Sequence, residues 1–439
     1  MNRRQVLGAL SASITASLAG CSVNVVENPQ TVEASDYSHF AGRDLQSTNY
    51  TDSDGFQGYN VEWVSELSGD VWADPIVAND SIFVATYNNK VYSVDIETGS
   101  VEWTFSGLDG KVDGTPAYHD GTIYITSFDN NVYAIDSNTG ELNWSRNMGL
   151  TIRSSPKVSN GLIYLGIGCS RGPCNYYSPD ANRPKTGGIF ALDTETGDTE
   201  WSISPLGDTV IASSAIDNGT LYTASSVGDV YAIDASSGNI SWSVDSEWSI
   251  MSSPAITQDK VFFGDSITAD VSKDKHRQED MYVYAVDRET GEQVWRQSFD
   301  GHLVAASPAV DNKNVYVAIN GITDNNQEFG DAMVVSFEQE TGNINWESRF
   351  PLSRISSSTL VDRNRVYAGK HRYGSSAPNG GLIALGKQGG NTHWKRLFEK
   401  DDFNRRGVGT SPCIIRDKII FTTTFGELHC YSSTPSALI

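Results

Sequence analysis

The feature that most constrains the fold of this chain is a thirteen-residue segment that recurs along it. "VYAIDSNTGELNW" at residues 132–144 returns, with substitutions, at residues 91–103, 189–201, 230–242 and 283–295. Two looser copies occupy residues 334–346 and 382–394. Because one segment returns at intervals of 41 to 57 residues, the chain is predicted to be built from equivalent structural units.

Each copy predicts two β-strands joined by a tight turn. Residues such as Val132, Tyr133 and Ala134 combine alternating apolar positions with β-forming side chains, which favours a strand. The pattern Asp-x-x-Thr/Ser-Gly follows. The Asp carboxylate can accept backbone N–H groups of a turn, and Gly adopts the positive φ that other residues resist. A second strand then ends in Trp.

Two further counts predict the architecture, an all-β, eight-bladed β-propeller of four-stranded blades. Eight inner strands begin after a short Ser, Thr or Asp signal, at residues 74, 115, 155, 214, 253, 307, 358 and 411. Eight outer strands contain the tryptophans predicted to dock between blades: Trp63, Trp103, Trp144, Trp201, Trp242, Trp295, Trp346 and Trp394. The first outer strand precedes every inner strand, and the last unit lacks one. Pairing the N-terminal strand with the last blade therefore closes the ring and removes both free sheet edges.

The repeat resembles the pyrroloquinoline quinone (PQQ)-like β-propeller repeat. The pattern Ala-x-Asp-x-x-Thr-Gly-x-x-x-Trp stands complete at residues 134–144 and 285–295. The resemblance implies that the Trp docks between adjacent blades and that the small Ala leaves it room. Blades 6 and 7 depart from the pattern, since Glu338 and Gly386 replace the turn Asp, and looser turns are expected there.

The N-terminus is predicted to be an export and anchoring signal. Residues 1–20 combine the basic pair Arg3 and Arg4 with an uncharged stretch that is short for a bilayer span, as in a twin-arginine signal peptide. "LAGC" at residues 18–21 resembles a lipobox, which would make Cys21 the lipid attachment site. Residues 21–36 are predicted to be a flexible tether, residues 37–433 the propeller and residues 434–439 a C-terminal tail. The predicted location is the cell membrane, lipid-anchored and facing the exterior.

The charge of the chain excludes one class of partner. Lys and Arg number 32 against 54 Asp and Glu, a formal net charge of −22, and no basic run is present. Such a chain is not expected to bind nucleic acid phosphates. The acidic excess with a twin-arginine signal indicates a halophilic archaeon as the source, although simple solubility also explains the charge.

Long connections are predicted on one face of the propeller only. With strands A to D counted outward, the B–C connections of blades 1, 2, 4 and 8 are tight, whereas those of blades 3, 5, 6 and 7 are long. The connection before blade 8 is long as well and lies on the same face. Since long loops on a rigid scaffold commonly bind partners, this face is the predicted binding surface for a protein or envelope component. Neutral variation of surface loops is the competing interpretation.

The same face is predicted to hold the mouth of the central channel. Residues just before inner strands would line it, and the candidates are Trp72, Asp74, Asp113, Arg153 and Met251. One Arg beside two Asp would anchor a polar ligand, or the three would satisfy one another as a plug. Both interpretations stay open at this stage.

The remaining cysteines predict structural features rather than a functional site. Cys169 and Cys174 lie close enough in one exported loop for a local disulfide. Cys413 and Cys430 are predicted to be buried thiols on non-adjacent strands of blade 8, and no metal-binding set is predicted.

Three functions remain open. The favoured one is a monomeric, non-catalytic binding or scaffold protein, with no catalytic residue and no cofactor predicted. The first alternative, implied by the resemblance, is a quinoprotein dehydrogenase with PQQ and Ca²⁺ in the channel. Such enzymes usually carry two adjacent cysteines, which this chain lacks. The second alternative is a role similar to that of the bacterial outer-membrane assembly lipoprotein BamB, as an assembly factor for membrane or envelope proteins.

Overall fold

A computed structural model describes residues 60–168, 187–206, 209–246, 249–266, 280–300, 302–304, 306–322, 329–371, 379–398, 407–415 and 418–432. The predicted signal peptide, tether and tail lie outside these residues, as do most of the long B–C connections. Within the described part, regular structure consists of β-strands, and no helix there is long and apolar enough to cross a membrane.

The strands form eight separate antiparallel sheets, so the predicted eight-bladed propeller is confirmed. Strand β1 spans Asn60–Glu66. Blade 1 consists of β2 (Ile76–Ala78), β3 (Ser81–Ala85), β4 (Val91–Asp95) and β5 (Val101–Phe105), and blade 2 of β6 (Ala117–His119), β7 (Thr122–Thr126), β8 (Asn131–Asp136) and β9 (Leu142–Asn147). Blade 3 consists of β10 (Lys157–Ser159), β11 (Leu162–Ile167), β12 (Gly188–Asp193) and β13 (Thr199–Ile203), and blade 4 of β14 (Ala215–Asp217), β15 (Thr220–Ala224), β16 (Asp229–Asp234) and β17 (Ile240–Asp245).

Blades 5 to 7 add a short fifth strand, and blade 8 takes its outer strand from the N-terminus. Blade 5 consists of β18 (Ser249–Ile250), β19 (Ala255–Ile256), β20 (Lys260–Ser266), β21 (Asp280–Asp287) and β22 (Gln293–Asp300), and blade 6 of β23 (His302–Leu303), β24 (Ala309–Val310), β25 (Asn314–Ile322), β26 (Phe329–Glu338) and β27 (Ile344–Phe350). Blade 7 consists of β28 (Arg354–Ile355), β29 (Leu360–Val361), β30 (Arg365–His371), β31 (Gly381–Gly386) and β32 (Thr392–Leu397). Blade 8 consists of β33 (Cys413–Ile415), β34 (Lys418–Thr422) and β35 (Glu427–Ser432), together with β1.

The ring closes as predicted. Strand β1 pairs antiparallel with β35, in a register that places Asn60 opposite Ser432 and Glu66 opposite Glu427. The sheet order is therefore β1-β35-β34-β33, with the N-terminal strand on the outside of the last blade. The two ends of the propeller satisfy each other's backbone groups, and neither is left as an exposed inner edge.

The hydrophobic core lies between the blades rather than within them. The buried apolar residues form eight clusters, and each cluster draws on two neighbouring blades. Between blades 1 and 2, for example, Phe83 packs with Ile123 and Tyr133, and Trp103 closes the outer side. A single sheet cannot bury its faces alone, so stacking of neighbours around the ring supplies the stability.

The recurring tryptophans cross from one blade to the next. In seven of the eight, Nε1 donates a hydrogen bond to the carbonyl that follows the turn Asp position of the next blade, for example Trp295 Nε1 to Gln339 O at 2.7 Å. The eighth, Trp394, packs against blade 8, whose strands C and D are not joined by this turn. A small residue lies opposite each of these rings in its sheet, as Ala134 does for Trp144.

The turn Asp bonds as its position in the repeat predicts. In blade 2, Oδ1 of Asp136 accepts the N–H groups of Asn138 and Thr139 at 2.9 and 2.8 Å and the Thr139 hydroxyl at 3.1 Å. In blade 6, Glu338 accepts the Thr341 hydroxyl at 2.6 Å. In blade 7, Gly386 has no side chain and keeps the backbone bonds of the turn, from Gly390 N to its carbonyl at 2.8 Å and from its own N–H to Asn391 O at 2.8 Å. The backbone turn therefore persists in all three blades, with fewer side-chain bonds in blades 6 and 7.

Candidate functional site

A closed ring of eight hydrogen bonds surrounds the central channel. In each blade, the residue two positions before the innermost strand donates its backbone N–H to the side-chain oxygen of the equivalent residue in the next blade. The bonds measure 2.6 to 3.3 Å and run through Asp74, Thr115, Ser155, Ser213, Ser253, Ser307, Ser358 and Ser411 and back to Asp74. We refer to these eight residues as the channel ring.

The local sequence explains how the ring is presented. Six of its members precede a Pro, and the residue before a Pro is held in the extended region. All eight are less than a tenth exposed, so each bond satisfies a buried N–H that would otherwise lack an acceptor. In blade 4 the sequence pattern points to Ser214, whereas the structure uses Ser213. The sequence gives no sign that these side chains bond one another around the ring.

A cavity of about 250 Å³ opens above the channel ring. The five channel-mouth residues singled out from the sequence all line it: Trp72, Asp74, Asp113, Arg153 and Met251. The remaining lining comprises Tyr87, Ser155, Ile211, Ser213, Ser253, Ser356, Ser357, Ser358, Gly409 and Ser411. The floor of the cavity is therefore made largely of hydroxyl groups, and its mouth of charged and aromatic groups.

The charged groups at the mouth are bonded to one another. The Asp113 carboxylate accepts a hydrogen bond from the Arg153 guanidinium on one oxygen and from the Tyr87 hydroxyl on the other. The Arg153 and Asp113 side chains are 19% and 14% exposed, which places this pair well inside the mouth. Burial, and then the Asp113 carboxylate, raise the pKa of the Tyr87 phenol far above its usual range, so it stays a proton donor.

Aromatic rings brace this cluster from both sides. Lys111 Nζ lies 4.6 Å from the Tyr87 ring centroid and 4.7 Å from that of Phe128, and the Arg153 guanidinium lies 5.1 Å from the Phe128 centroid. These are cation–π distances. The Trp72 ring lies 6.3 Å from Tyr87, centroid to centroid. The mouth is therefore a preformed, internally paired polar and aromatic surface.

His371 also belongs to this neighbourhood, and no sequence pattern indicates it. It lies at the end of β30, and its ring meets Trp72 edge to face at 5.8 Å between centroids. Burial first, and the Arg354 guanidinium second, lower the pKa of His371 to about 4. The imidazole is therefore neutral near pH 7 and contributes a polar but uncharged edge to this side of the mouth.

The face that carries the long B–C connections has a reinforced base. Tyr87, in the tight B–C turn of blade 1, lines the cavity, so the cavity opens on the face of the B–C turns. Strand B has five residues in each of blades 1, 2, 4 and 8, which carry the tight B–C turns. It is longer in the other four blades, with six residues in blade 3, seven in blade 5, nine in blade 6 and seven in blade 7.

The added length of these strands is paired. In blades 5 to 7 the chain entering the blade forms an extra strand, β18, β23 or β28, against the end of strand B. In blade 3 a single bridge joins Ile152 to Ile167 at the equivalent place. The four blades with long connections are thus the four in which strand B is extended and held.

Other sequence-based predictions fall outside the described residues or need correction. Cys21, Arg3, Arg4 and the pair Cys169 and Cys174 lie outside the described residues. Cys430 is a buried free thiol. Cys413 is buried too but is disulfide-bonded, so the expectation that both are buried thiols is wrong for Cys413.

A family model described as outer membrane protein assembly factor BamB matches residues 46–111, 106–206, 185–276 and 277–437 of the chain. No curated protein sequence matches this chain significantly. Among solved structures, BamB from Moraxella catarrhalis is similar, with 15% identity, a TM-score of 0.62 and coverage of 85% of this chain and 100% of that one. So is the quinohemoprotein alcohol dehydrogenase from Comamonas testosteroni, with 15% identity, a TM-score of 0.67 and coverage of 91% and 80%. At these identities the structural likeness shows the fold alone.

The donor set of the cavity does not fit PQQ with a Ca²⁺ ion. Ca²⁺ takes six to eight oxygen ligands, with carboxylates prominent among them. The described cavity offers two carboxylates, and Asp113 is held by Arg153 and Tyr87 while Asp74 accepts a channel-ring bond. No group of three His, Cys, Asp or Glu side chains suited to a metal ion occurs in the described ranges.

Proposed function

The chain belongs to the family described as outer membrane protein assembly factor BamB, and from this premise we propose that it is an exported, lipid-anchored, non-catalytic protein that binds a protein partner at the cell surface. The BamB-like fold supports protein–protein interaction in general. The process we propose is assembly or organisation of envelope proteins. Because the acidic composition and twin-arginine signal favour an archaeon, the proposal does not include an outer membrane.

The sequence of the N-terminus supports the anchoring part of the proposal. Arg3 and Arg4 would address residues 1–20 to the twin-arginine route, and Cys21 would carry the lipid. Residues 21–36 would then hold the propeller, residues 37–433, at a short distance from the exterior of the cell membrane. A diacylated cysteine carries two chains, which is what stable anchoring requires.

The observation that carries the binding proposal is the reinforced base of the B–C face. The entropy cost of closing a loop rises only slowly with its length, so the length of these connections does not by itself indicate a binding function. Here each long connection coincides with an extended strand B, and in three blades with an additional paired strand, β18, β23 or β28. An extended, paired base holds the two ends of a loop in fixed positions, and that lowers the entropy cost of binding a partner.

The mouth cluster supports a non-catalytic role. A general base or nucleophile needs an unengaged polar atom that can reach a substrate. Both oxygens of the Asp113 carboxylate instead accept hydrogen bonds, one from Arg153 and one from Tyr87. The pKa of the Tyr87 phenol also lies far above its usual range. We propose that this cluster is a structural brace at the rim of the channel mouth, around which the long connections display their binding surface.

The test is to shorten the long connections one blade at a time. Residues 168–187, 267–279, 323–328 or 372–380 are replaced by the blade 1 turn, residues 86–90, and partners captured from membrane extracts of the source cells are quantified by mass spectrometry. The matched control exchanges the tight blade 2 turn, residues 127–131, for the same segment on the same face.

We expect at least one shortened variant to lose a partner that the control retains. Retention of every captured protein by all four folded variants would overturn the proposal. A parallel Cys21→Ala variant should move the protein from the membrane to the soluble fraction while its partner set stays the same, which separates anchoring from binding.

A further inference from the structure

The floor of the cavity consists of hydroxyl groups whose hydrogen-bonding capacity is only partly used. Five channel-ring serines line it: Ser155, Ser213, Ser253, Ser358 and Ser411. Each of their oxygens accepts one backbone N–H, and within the described residues none of the five hydroxyls donates. A hydroxyl has one donor and two acceptor sites, so each floor serine offers one donor and one acceptor to whatever fills the cavity.

A sixth hydroxyl has no partner at all among the described residues. Ser356 lines the same cavity, and its Oγ is buried without a hydrogen bond. Each of the five floor serines is at least nine-tenths buried. Buried polar groups in native proteins are nearly always paired, with protein or with ordered water, so the unused hydroxyl sites suit an occupant that can replace the hydrogen bonds of water, namely a compound rich in hydrogen-bonding groups.

The walls of the cavity define the charge and shape of that occupant. At the mouth, the Arg153 and Asp113 charges neutralise each other, and the one further charge in the described lining is the Asp74 carboxylate, so the lining does not favour an anion. The half-buried Trp72 ring forms one wall, and at Gly409 an added Cβ would lie 3.4 Å from that ring, so the backbone approaches the wall closely. A volume of about 250 Å³ lies below the roughly 300 to 1,000 Å³ of sites for drug-sized ligands, so the occupant is small.

We propose that this cavity binds a small, neutral polyhydroxy compound of about monosaccharide size. Hydroxyl groups of the ligand would donate to and accept from the floor serines, because both sides carry both functions. The C–H face of the ligand would pack on the Trp72 ring. An apolar molecule would leave the five floor hydroxyl donors unused and the Ser356 hydroxyl unpaired, and a site built to hydrogen-bond hydroxyls rejects such analogues strongly. This inference does not rest on the partner-binding proposal above, although the cavity opens on the same face of the propeller.

The test is calorimetric titration of the purified protein with myo-inositol and with D-glucose, and with sodium sulfate for comparison. Ser213→Ala and Ser356→Ala each remove one hydroxyl from the cavity. Ser307→Ala is the matched control, because Ser307 belongs to the channel ring and accepts Ser253 N at 2.9 Å but does not line the cavity. Ser356→Ala removes an unbonded hydroxyl and is expected to fold even if Ser213→Ala is unstable.

We expect at least one polyol to bind saturably, with the affinity lowered roughly fivefold or more by Ser213→Ala and Ser356→Ala and unchanged in Ser307→Ala. Absence of saturable binding of both polyols to the folded protein would overturn the proposal. So would tighter binding of sulfate than of either polyol, or an equal loss of affinity in Ser307→Ala. Loss of partner capture with polyol binding intact would leave this inference standing, since the two tests change different residues.

Discussion

The backbone N–H of Ser411 donates a 2.6 Å hydrogen bond to Oδ1 of Asp74, although 337 residues separate the two in the chain. This bond joins the last blade to the first at the channel, while the pairing of β1 with β35 joins them at the rim. The propeller is therefore closed twice, at its inner and its outer radius. Asp74 is the only charged member of the channel ring, and it stands at this junction.

Replacing Asp74 should weaken the inner closure. In Asp74→Ala the Ser411 N–H stays buried without an acceptor, which costs about 1–3 kcal/mol. Asp74→Ser is the matched control, because Ser fills the equivalent position in six other blades and retains an oxygen acceptor. Urea unfolding in high salt measures both. Equal stability of Asp74→Ala and the unmodified protein would show that the inner closure contributes nothing.

A glycine lies against seven of the eight docking tryptophans, and a side chain at this position should be costly. Gly342 has φ +71°, and an added Cβ would lie 2.6 Å from Cδ2 of Trp295. Gly121 has a similar φ of +79° with no heavy atom within 4 Å of such a Cβ. Both Gly→Ala changes should cost about 1 kcal/mol for the backbone conformation, and Gly342→Ala roughly 1–3 kcal/mol more for overpacking. If thermal unfolding finds the two variants equally stable, the Trp does not dock as described.

The turn aspartates should make stability depend on acidic pH. Hydrogen bonds from the Thr139 backbone, then from Asn138 and the Thr139 hydroxyl, lower the pKa of Asp136 below its ordinary value of 3.8. A depressed folded-state pKa contributes stability above the unfolded-state pKa, and this contribution is lost as pH falls through the folded-state pKa. Since the carboxylate is largely exposed, solvent screening keeps the effect to a few tenths of a kcal/mol.

The measurement compares the unmodified protein with Asp136→Asn. The stability difference should be present at about pH 5 and vanish at about pH 2. Glu338→Gln in blade 6 is the control, because Glu338 accepts a hydroxyl bond from Thr341 but no backbone N–H at this turn. At about pH 5 it should give a smaller difference than Asp136→Asn. A difference for Asp136→Asn that grows as the pH falls would contradict the assigned direction.

PQQ should not bind the cavity. Calorimetric titration of PQQ with Ca²⁺ in high salt is expected to give no saturable heat. The Asp113 carboxylate already accepts hydrogen bonds from Arg153 and Tyr87, and the Asp74 carboxylate accepts one from Ser411 N. Arg153→Ala removes the cation that would hold a carboxylate of this cofactor. Micromolar or tighter binding that Arg153→Ala weakens would instead favour the dehydrogenase and justify an activity screen with alcohols and sugars.

Sequence reasoning reached the site only in part. It placed Asp113 and Arg153 at the channel mouth, because each stands just before an inner strand, and the structure brings them into one ion pair. Tyr87 was missed, since nothing in a tight turn between strands indicates that its hydroxyl reaches a carboxylate in the next blade. His371 was missed for the same reason. Its contact with Trp72 crosses from blade 7 to the segment that precedes blade 1.

The sequence by itself determined the strands, the turns, the number of blades and the manner of closure. These follow from local signals, namely alternation, Asp-x-x-Thr-Gly turns and the unpaired first and last strands, repeated often enough to be counted. Only the tertiary structure decided which side chains meet at the axis. Those contacts join residues of different blades, from 40 to 337 positions apart, and their geometry is set by how the blades twist and pack against one another. A repeat specifies the blade it encodes, whereas the channel ring and its cavity exist only once all eight blades are in place.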